Sequence, residues 1–243
     1  MLIERAAYGN RWRRVTPAAK GAFALAGLIA AFAAPTPASA LLVALLLAGV
    51  ACLGAGVAPD LYLRAAAPAV GFLGLSGLTL LLAIDSDFSW RWAPEAWPRV
   101  AALTARSLAA LAALLGLVLT TPLPDLIGLL RRLRCPALLL DLMVLCYRML
   151  FVFSAALHDT ATAQRARLGY ASPRLARRSL GLLAANLTLQ VWQRAQGLHR
   201  AALARNGDGA LRLLSPEFAH ARRDTACAAV AGALLVILAR LAA

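Results

Sequence analysis

The sequence contains few charged residues. Charged residues make up 15% of the 243 positions and hydrophobic residues 61%, and the mean hydropathy is +0.72. These values lie well outside the range of soluble globular domains. We therefore expect an all-α polytopic membrane protein.

The sequence also lacks the paired cysteines and clustered histidines of metal and disulfide frameworks. Its cysteines and histidines are scattered, at Cys52, Cys135, Cys146, Cys227, His158, His199 and His220. This spacing excludes the usual zinc motifs and a close-paired disulfide framework. We expect the cysteines to act as small hydrophobic residues, and we expect neither a metal site nor a cofactor.

A nucleotide-binding loop is missing too, because no glycine-rich segment ends in Gly-Lys-Ser or Gly-Lys-Thr. The net charge is +14, but no nucleic-acid-binding motif accompanies it. The expected partners are anionic membrane lipids and acidic protein surfaces, and no nucleic acid.

Five apolar segments reach, or nearly reach, the roughly 20 residues that a helix needs to cross a bilayer. They are residues 20–34, 38–57, 66–84, 101–120 and 225–243. Pro35-Thr36-Pro37 separates the first two and predicts a tight hairpin. The basic start through Arg14 resembles the beginning of a signal peptide. Because several apolar segments follow, we expect the first one to be a retained span.

Arginine and lysine orient the predicted spans, since these residues accumulate on the cytoplasmic side. The first twenty residues contain five basic residues and a single acidic one, Glu4. The N-terminus is therefore expected in the cytoplasm. Counting four spans places residues 85–98, with their acidic residues and tryptophans, outside after the third span. The fourth span returns the chain to the cytoplasm at Thr121. A fifth span predicts an external C-terminus.

Residues 137–157 are apolar and long enough to span, but arginines flank them on both sides. A full crossing would place the arginines between positions 165 and 205 outside. We therefore expect this segment to be buried in the protein or to lie at the cytoplasmic interface. Asp141 and Arg148 are seven residues apart on one helical face and form a possible intraprotein charge pair.

Residues 157–206 predict two amphipathic cytoplasmic helices, with Gly169 ending the first and Ser172-Pro173 starting the second. Residues 121–224 contain fifteen arginines and six acidic residues, so positive charge is concentrated there. The expected organisation is a membrane domain of four helices (1–120), a cytoplasmic or interfacial domain (121–224) and a C-terminal transmembrane helix (225–243).

Two Ala-Arg pairs lie in this basic region, at Ala166-Arg167 and Ala204-Arg205. They are open to two interpretations. In the first, they are ordinary arginines at helix C-termini, where the helix dipole favours positive charge. In the second, each arginine projects into a groove of a partner, and the small alanine permits close backbone approach. Spacing alone does not separate the two.

Several motifs in order resemble the T component of energy-coupling factor transporters, and most of all its cobalt-type branch, CbiQ. They are Pro122-Leu123-Pro124-Asp125-Leu126-Ile127, Leu130-Arg131-Arg132-Leu133, Tyr147-Arg148, Ala166-Arg167-Leu168-Gly169-Tyr170 and Ala204-Arg205-Asn206-Gly207-Asp208-Gly209. Thr16-Pro17-Ala18-Ala19-Lys20 also resembles the family's motif before the first span. The likeness covers most of the chain.

The resemblance implies a non-catalytic coupling subunit in the bacterial cytoplasmic (inner) membrane, with residues 121–224 as its coupling domain. Its implied partners are two ABC ATPase subunits (CbiO-like), which hydrolyse the ATP, and a substrate-binding membrane subunit (CbiM-like), with or without a CbiN-like small subunit. The implied substrate is cobalt, bound on the substrate subunit. A nickel-type or general T component remains the alternative.

The resemblance also assigns two signatures to contacts with the ATPases. They carry over to Ala166, Arg167 and Leu168, and to Ala204, Arg205 and Asn206. Both depart from the family at the third position, where glycine is typical. Because Asn tolerates a left-handed backbone better than most residues, we expect that conformation at Asn206.

Two other classes of protein compete with this interpretation. Asp208-Gly209-Ala210-Leu211-Arg212 resembles the start of a CDP-alcohol phosphotransferase motif, but only Glu217 and Asp224 follow, at unsuitable distances for a metal site. A secondary transporter would place ionisable groups near the bilayer midplane. Arg106 is the only charge well inside the first four spans, and it lies near one end.

Overall fold

The computed structural model describes residues 2–84, 90–92, 96–204, 218 and 220–241. Most of these residues are helical. The helices are α1 (Leu2–Gly9), α2 (Pro17–Ala33), α3 (Pro37–Gly49), α4 (Pro59–Leu81), α5 (Trp97–Thr120), α6 (Leu123–Arg132), α7 (Ala137–Ala166), α8 (Pro173–Ala204) and α9 (Ala221–Leu241). A 3-10 turn (Arg11–Arg14) follows α1, and a π-helical turn (Val50–Gly54) follows α3. Strands β1 (Leu82–Ile84) and β2 (Trp90–Trp92) form one short antiparallel pair.

The chain divides into two compact units. Unit 1 contains Met1–Leu129 and Ser215–Ala243, and unit 2 contains Leu130–Leu214. This division reflects compactness and not the side of the membrane, so the predicted cytoplasmic or interfacial domain at residues 121–224 stays a prediction.

Unit 1 is a helical bundle whose helices run alternately between two ends. At one end, near the start of α2, the Lys20 Nζ donates a hydrogen bond to the Thr120 carbonyl at the end of α5, at 2.8 Å. At the other end, the Arg106 guanidinium near the start of α5 donates to the Ala34 carbonyl just after α2, at 3.2 Å. Helices α2 and α5 are therefore antiparallel.

Small residues hold the bundle helices close together. Helix α2 packs mainly against α9 and α5. A Cβ on Gly232 would lie only 2.6 Å from the Ala26 Cβ, and one on Gly27 would lie 3.1 Å from that of Ala113. The main core cluster consists of Ala30, Ala31, Val43, Leu47, Ala109, Ala112, Ala113, Leu235 and Ala239. Such residues let backbones approach closely where lipid provides no hydrophobic driving force between helices.

The tight hairpin predicted between the first two apolar segments is confirmed. Helix α2 ends at Ala33 and α3 begins at Pro37. The Thr36 hydroxyl accepts from the Ser39 N–H at 3.2 Å, and the Ser39 hydroxyl accepts from the Thr36 N–H at 3.3 Å. This capping box satisfies donors at the helix start, and proline suits the first helical position.

Five helical segments in the described residues are long and apolar enough to cross a bilayer: Pro37–Gly54, Pro59–Leu81, Trp97–Thr120, Ala137–Ala166 and Ala221–Leu241. The predicted all-α polytopic membrane fold is confirmed. The set of five helices differs from the predicted set, however. The first predicted span corresponds to α2, which has only 17 residues, near the lower limit for crossing, whereas α7 qualifies by length and composition.

Helix α7 corrects two expectations. It runs without a break for 30 residues, so the apolar segment and the first predicted amphipathic helix are one element. No glycine or proline interrupts residues 137–166, which explains the continuity. The chain does not bury this helix, because Leu140 is the only buried residue in it. Of the two expected settings, burial in the protein is therefore not observed.

The predicted external loop at residues 85–98 falls largely outside the described residues. The described part shows Ala83 opposite Arg91 in the strand pair and Trp97 at the start of α5. Its position relative to the membrane stays a prediction.

Candidate functional site

The first Ala-Arg pair lies at the end of α7, in a turn with a left-handed residue. Ala166 is the last helical residue and Arg167 is the C-cap. Leu168 follows with a φ of +55°. The Leu168 N–H donates to the Arg165 carbonyl at 3.0 Å, and the Gly169 N–H donates to the Gln164 carbonyl at 2.8 Å. These two bonds define a Schellman motif in which Leu168 occupies the position that glycine usually takes.

Side-chain hydrogen bonds tie this turn to the first part of α8. The Ser179 hydroxyl donates to the Gly169 carbonyl at 2.9 Å, and the Gln164 amide donates to the Ser179 carbonyl at 2.9 Å. The Tyr170 hydroxyl donates to the Gln164 Oε1 at 2.7 Å. We call Gln164, Gly169, Tyr170 and Ser179 the turn network. It fixes how α8 leaves the end of α7.

Gly169 is required by space. A Cβ there would lie 2.6 Å from the Ser179 hydroxyl oxygen and 2.9 Å from the Gln164 carbonyl oxygen. Ser179 is also the only buried residue of α8 in the described chain. The close approach of the two helices at this point therefore depends on the absence of a side chain at residue 169.

The predicted boundary between the two helices is confirmed. Helix α8 begins at Pro173. The Ser172 hydroxyl accepts from the Leu175 N–H at 3.3 Å, and the Ser172 carbonyl accepts from the Ala176 N–H at 2.8 Å. Serine at the cap and proline at the first position explain this start.

Arg167 is exposed at the end of α7. Ala166, Arg167 and Leu168 are all exposed, and Leu168 has 72% of its surface accessible. The Arg167 guanidinium makes no hydrogen bond or ion pair with any residue in the described ranges. Its position at a helix C-terminus also suits the dipole. The two interpretations of the sequence therefore remain compatible with the geometry.

The second Ala-Arg pair is only partly described. Ala204 ends α8 and is exposed, whereas Arg205 and Asn206 lie outside the described residues. The expected left-handed conformation at Asn206 is therefore not tested. The 32 residues of α8 separate the two pairs along the chain, which corresponds to about 48 Å of helix. Ala166 and Arg167 therefore lie at the turn that precedes α8, and Ala204 lies at its C-terminal end.

Asp141 and Arg148 form no ion pair in the structure. Within the described residues, ion pairs join Arg13 to Asp125 and Arg64 to Asp60. The Asp141 Oδ1 is buried and has no hydrogen-bond partner among the described residues. Seven residues correspond to two helical turns, about 10.5 Å along the axis, whereas side chains meet most readily at three or four residues.

Much of the apolar surface of unit 2 is open. Helices α7 and α8 contact each other near the turn, with a hydrogen bond from the Asn186 amide to the Thr160 hydroxyl at 3.4 Å. Farther along, a groove of about 520 Å³ lies between them, lined by Met149, Gln190, Gln193, Arg194, Gly197 and Leu198. Trp192 and Leu189 are more than 60% exposed. Helices α7 and α8 therefore present apolar side chains that the described chain does not cover.

The sequence interpretation missed the turn network and the left-handed Leu168. It sought the left-handed residue at Asn206, because Asn tolerates that conformation and Leu does not. Gly169 was a usable signal for the turn network, since a glycine one residue after a left-handed cap lets the next helix pack closely against the turn. Ser179 carried no signal, because its burial depends on the crossing of α7 and α8.

Comparisons of the sequence with known proteins identify its family. The CbiQ family model, described as cobalt transport protein, matches residues 9–215. A cobalt transport protein CbiQ from Rhodobacter capsulatus is 35% identical over 88% of this chain and 87% of its own length. Another from Salmonella typhimurium is 33% identical over 80% of this chain and 91% of its own length.

A longer relative is also similar. A putative fused cobalt transport protein CbiMQ from Methanocorpusculum labreanum is 26% identical over 89% of this chain, which covers 38% of that protein. Because the family model and two CbiQ relatives match most of its length, this multi-pass membrane chain belongs to the CbiQ family of cobalt transport proteins.

Proposed function

We propose that this chain is the transmembrane coupling subunit of an energy-coupling factor importer for cobalt. It transmits the movement of two ABC ATPase subunits to a membrane subunit that binds the substrate. The chain itself performs no catalysis. ATP hydrolysis takes place on the ATPase subunits.

The observation that carries this proposal is the exposed α7–α8 hairpin, with the first Ala-Arg pair at the end of α7 and Ala204 of the second pair at the end of α8. The turn network makes one end rigid, and Arg167 projects from it without a partner in the described residues. A rigid support and a free guanidinium suit a contact that must transmit force, because charge-assisted hydrogen bonds are both strong and directional. Arg205, after Ala204, is the corresponding residue at the far end.

The ATPase contacts comprise Ala166, Arg167 and Leu168 at one site and Ala204, Arg205 and Asn206 at the other. Closure of the two ATPases on ATP moves their grooves relative to each other. Because α8 is a continuous helix of fixed length, it tilts in response, and the hairpin moves as a lever. The membrane subunit then reorients and releases its ion.

The substrate assignment rests on the relatives, whose names specify cobalt transport. The described residues contain no group of three or more His, Cys, Asp or Glu side chains that could hold a metal ion. We therefore place the cobalt ligands on the substrate-binding subunit. A CbiM-like protein fits that role, because one relative is named as a fusion of CbiM and CbiQ.

We propose that the end of unit 1 that carries the N-terminal segment faces the cytoplasm of a bacterium, with this chain in its inner membrane. The alternating direction of the bundle helices agrees with five crossings by α2, α3, α4, α5 and α9 and an external C-terminus. Unit 2 is then cytoplasmic or interfacial. The positive-inside tendency supports this orientation, since arginines dominate residues 121–224.

Tagged purification in mild detergent tests the proposal. We expect two ATPase subunits and a CbiM-like membrane subunit to copurify, and we expect cobalt uptake to require all of them. Uptake of nickel with equal efficiency would favour the nickel-type alternative. A solitary chain that transports cobalt without ATPases would contradict the coupling role.

Single-cysteine labelling in a cysteine-free background tests the orientation. We expect residues 172 and 210 to be inaccessible from outside and the last residues to be labelled there. External labelling at 172 or 210 would contradict a cytoplasmic unit 2.

A further inference from the structure

A buried carboxylate lies in the helix that connects the two units. Asp125 is in the first turn of α6, and its side chain is only 4% exposed. Helix α6 belongs to unit 1 up to Leu129 and to unit 2 from Leu130. The backbone passes between the units twice, within α6 at Leu129–Leu130 and again at Leu214–Ser215. Helix α6 is therefore one of the two covalent routes by which a displacement of unit 2 reaches the bundle.

Arg13 neutralises this carboxylate from the N-terminal segment. Its Nη1 donates to the Asp125 Oδ2 in an ion pair, across 112 residues of sequence. The Arg13 guanidinium carbon also lies 5.1 Å from the centroid of the Tyr8 ring. The Arg13 side chain is 32% exposed, so the ion pair is buried on the Asp125 side and partly accessible to solvent on the Arg13 side.

The N-terminal segment is itself fixed to the bundle. The Thr120 carbonyl, at the end of α5, accepts from the Asn10 amide at 3.1 Å and from the Lys20 Nζ at 2.8 Å. The Thr16 N–H donates to the Asp224 carboxylate in the first turn of α9, at 3.3 Å. These bonds connect the segment to both α5 and α9.

A surface ion pair would contribute little, because solvent screens it. Asp125 differs, since it is buried and removal of Arg13 breaks its ion pair, leaving only the longer-range attraction of Lys20. The contact also joins a helix that leads to unit 2 with a segment anchored on two bundle helices. It is therefore placed where motion would pass between the units.

We propose that Arg13 and Asp125 are positioning residues that clamp the first half of α6 to the bundle, so that movement of unit 2 displaces the bundle helices. This role rests on the proposed coupling function. Without this ion pair, the first half of α6 moves more independently of the bundle helices. The ATPases still bind and hydrolyse ATP, but less of their movement reaches the membrane helices.

Hydrogen exchange measures the clamp on the full chain without its partners. We compare Arg13→Ala with Arg14→Ala, because Arg14 is an exposed neighbour. In Arg13→Ala, amides of residues 125–132 should exchange roughly tenfold or more faster, as expected from loss of a charge-assisted bond. The Arg14→Ala variant should exchange like the wild type. Unchanged exchange in Arg13→Ala would overturn the clamp, whatever the fate of the coupling proposal.

Cobalt imported per ATP hydrolysed, in complexes reconstituted into vesicles, measures its role in coupling. We expect this ratio to fall several-fold in Arg13→Ala with ATPase copurification unchanged. It should recover largely in Arg13→Lys, which keeps a positive charge beside Asp125, and stay at the wild-type value in Arg14→Ala. Faster exchange with an unchanged ratio would overturn the positioning role, since the pair would then be structural only. Loss of ATPase binding in Arg13→Ala would also overturn it, because the segment would then act at docking.

Discussion

The two units differ in how far the chain covers its own helices. In unit 1, helices α2, α3, α5 and α9 share a continuous core of small residues. In unit 2, α7 and α8 together contribute two buried residues, Leu140 and Ser179. A membrane bundle with a closed core is complete within lipid, whereas α8 presents apolar and basic side chains that the chain does not cover. Under the proposed function, unit 1 is the scaffold, and partner subunits cover the open surface of unit 2.

Helix spacing in unit 1 should give the largest effect. A Gly232→Ala substitution adds a Cβ that would lie 2.6 Å from the Ala26 Cβ, so α2 and α9 must separate. We expect a loss of about 1–3 kcal/mol of stability, as for other overpacked cores. Thermal unfolding in detergent measures it.

Gly197→Ala is the matched control in unit 2, where a Cβ meets nothing within 4 Å. It should be neutral or stabilising by up to about 1 kcal/mol, because alanine favours helix. Equal destabilisation by both substitutions would remove the distinction between a packed and an open unit.

The turn network should give the next largest effect, confined to unit 2. Gly169→Ala places a Cβ against the Ser179 hydroxyl and the Gln164 carbonyl, so the Gly169–Ser179 bond is expected to break. Loss of one such bond costs about 0.5–1.5 kcal/mol, with some strain in addition. We expect faster proteolysis near residues 167–173 and weaker ATPase copurification.

Gly181→Ala provides the comparison for this variant, since its Cβ would enter open space. It should behave like the wild type in both assays. If Gly169→Ala also behaves like the wild type, the turn network does not determine how Arg167 is presented.

Substitution of the left-handed Leu168 by glycine should give the smallest effect, and it should stabilise the turn where the Gly232→Ala and Gly169→Ala substitutions destabilise. Leu168 has a φ of +55°, which costs a side-chain-bearing residue about 1–2 kcal/mol relative to right-handed backbone. Leu168→Gly removes this strain, but glycine also has more conformational freedom in the unfolded chain, so the net gain in stability should be below about 1 kcal/mol. Leu168→Val should increase the strain, because β-branching restricts the backbone further. Exchange of the Gly169 amide, which bonds to Gln164, should slow in the first variant and accelerate in the second. Identical rates in both would contradict the strain.

The sequence predicted most of the helices of unit 1, because apolar runs and proline boundaries are local signals. Ser172-Pro173 likewise predicted the start of α8, and Pro35-Thr36-Pro37 predicted the first hairpin. The continuity of α7 was not predicted, since the basic flank at residues 158–167 suggested a change of environment, and that does not require a break in the helix. Asp125 was part of a recognised motif, but its pairing with Arg13 depends on how distant segments pack.

The account depends most on the two arginines of the Ala-Arg pairs. Each should form charge-assisted hydrogen bonds with an ATPase, worth roughly 1.5–3 kcal/mol, so that loss of one weakens docking at that site about tenfold or more. The appropriate control is Arg178→Glu, which reverses an exposed arginine on α8 outside both motifs.

The most direct test measures ATPase copurification and cobalt uptake for Arg167→Glu, Arg205→Glu, the double variant and Arg178→Glu, at matched membrane expression. We predict that the double variant loses uptake and most of its bound ATPase, that each single variant is intermediate, and that Arg178→Glu keeps most of both. If the motif variants behave like Arg178→Glu, the two Ala-Arg pairs are ordinary helix ends and the proposed coupling site is wrong.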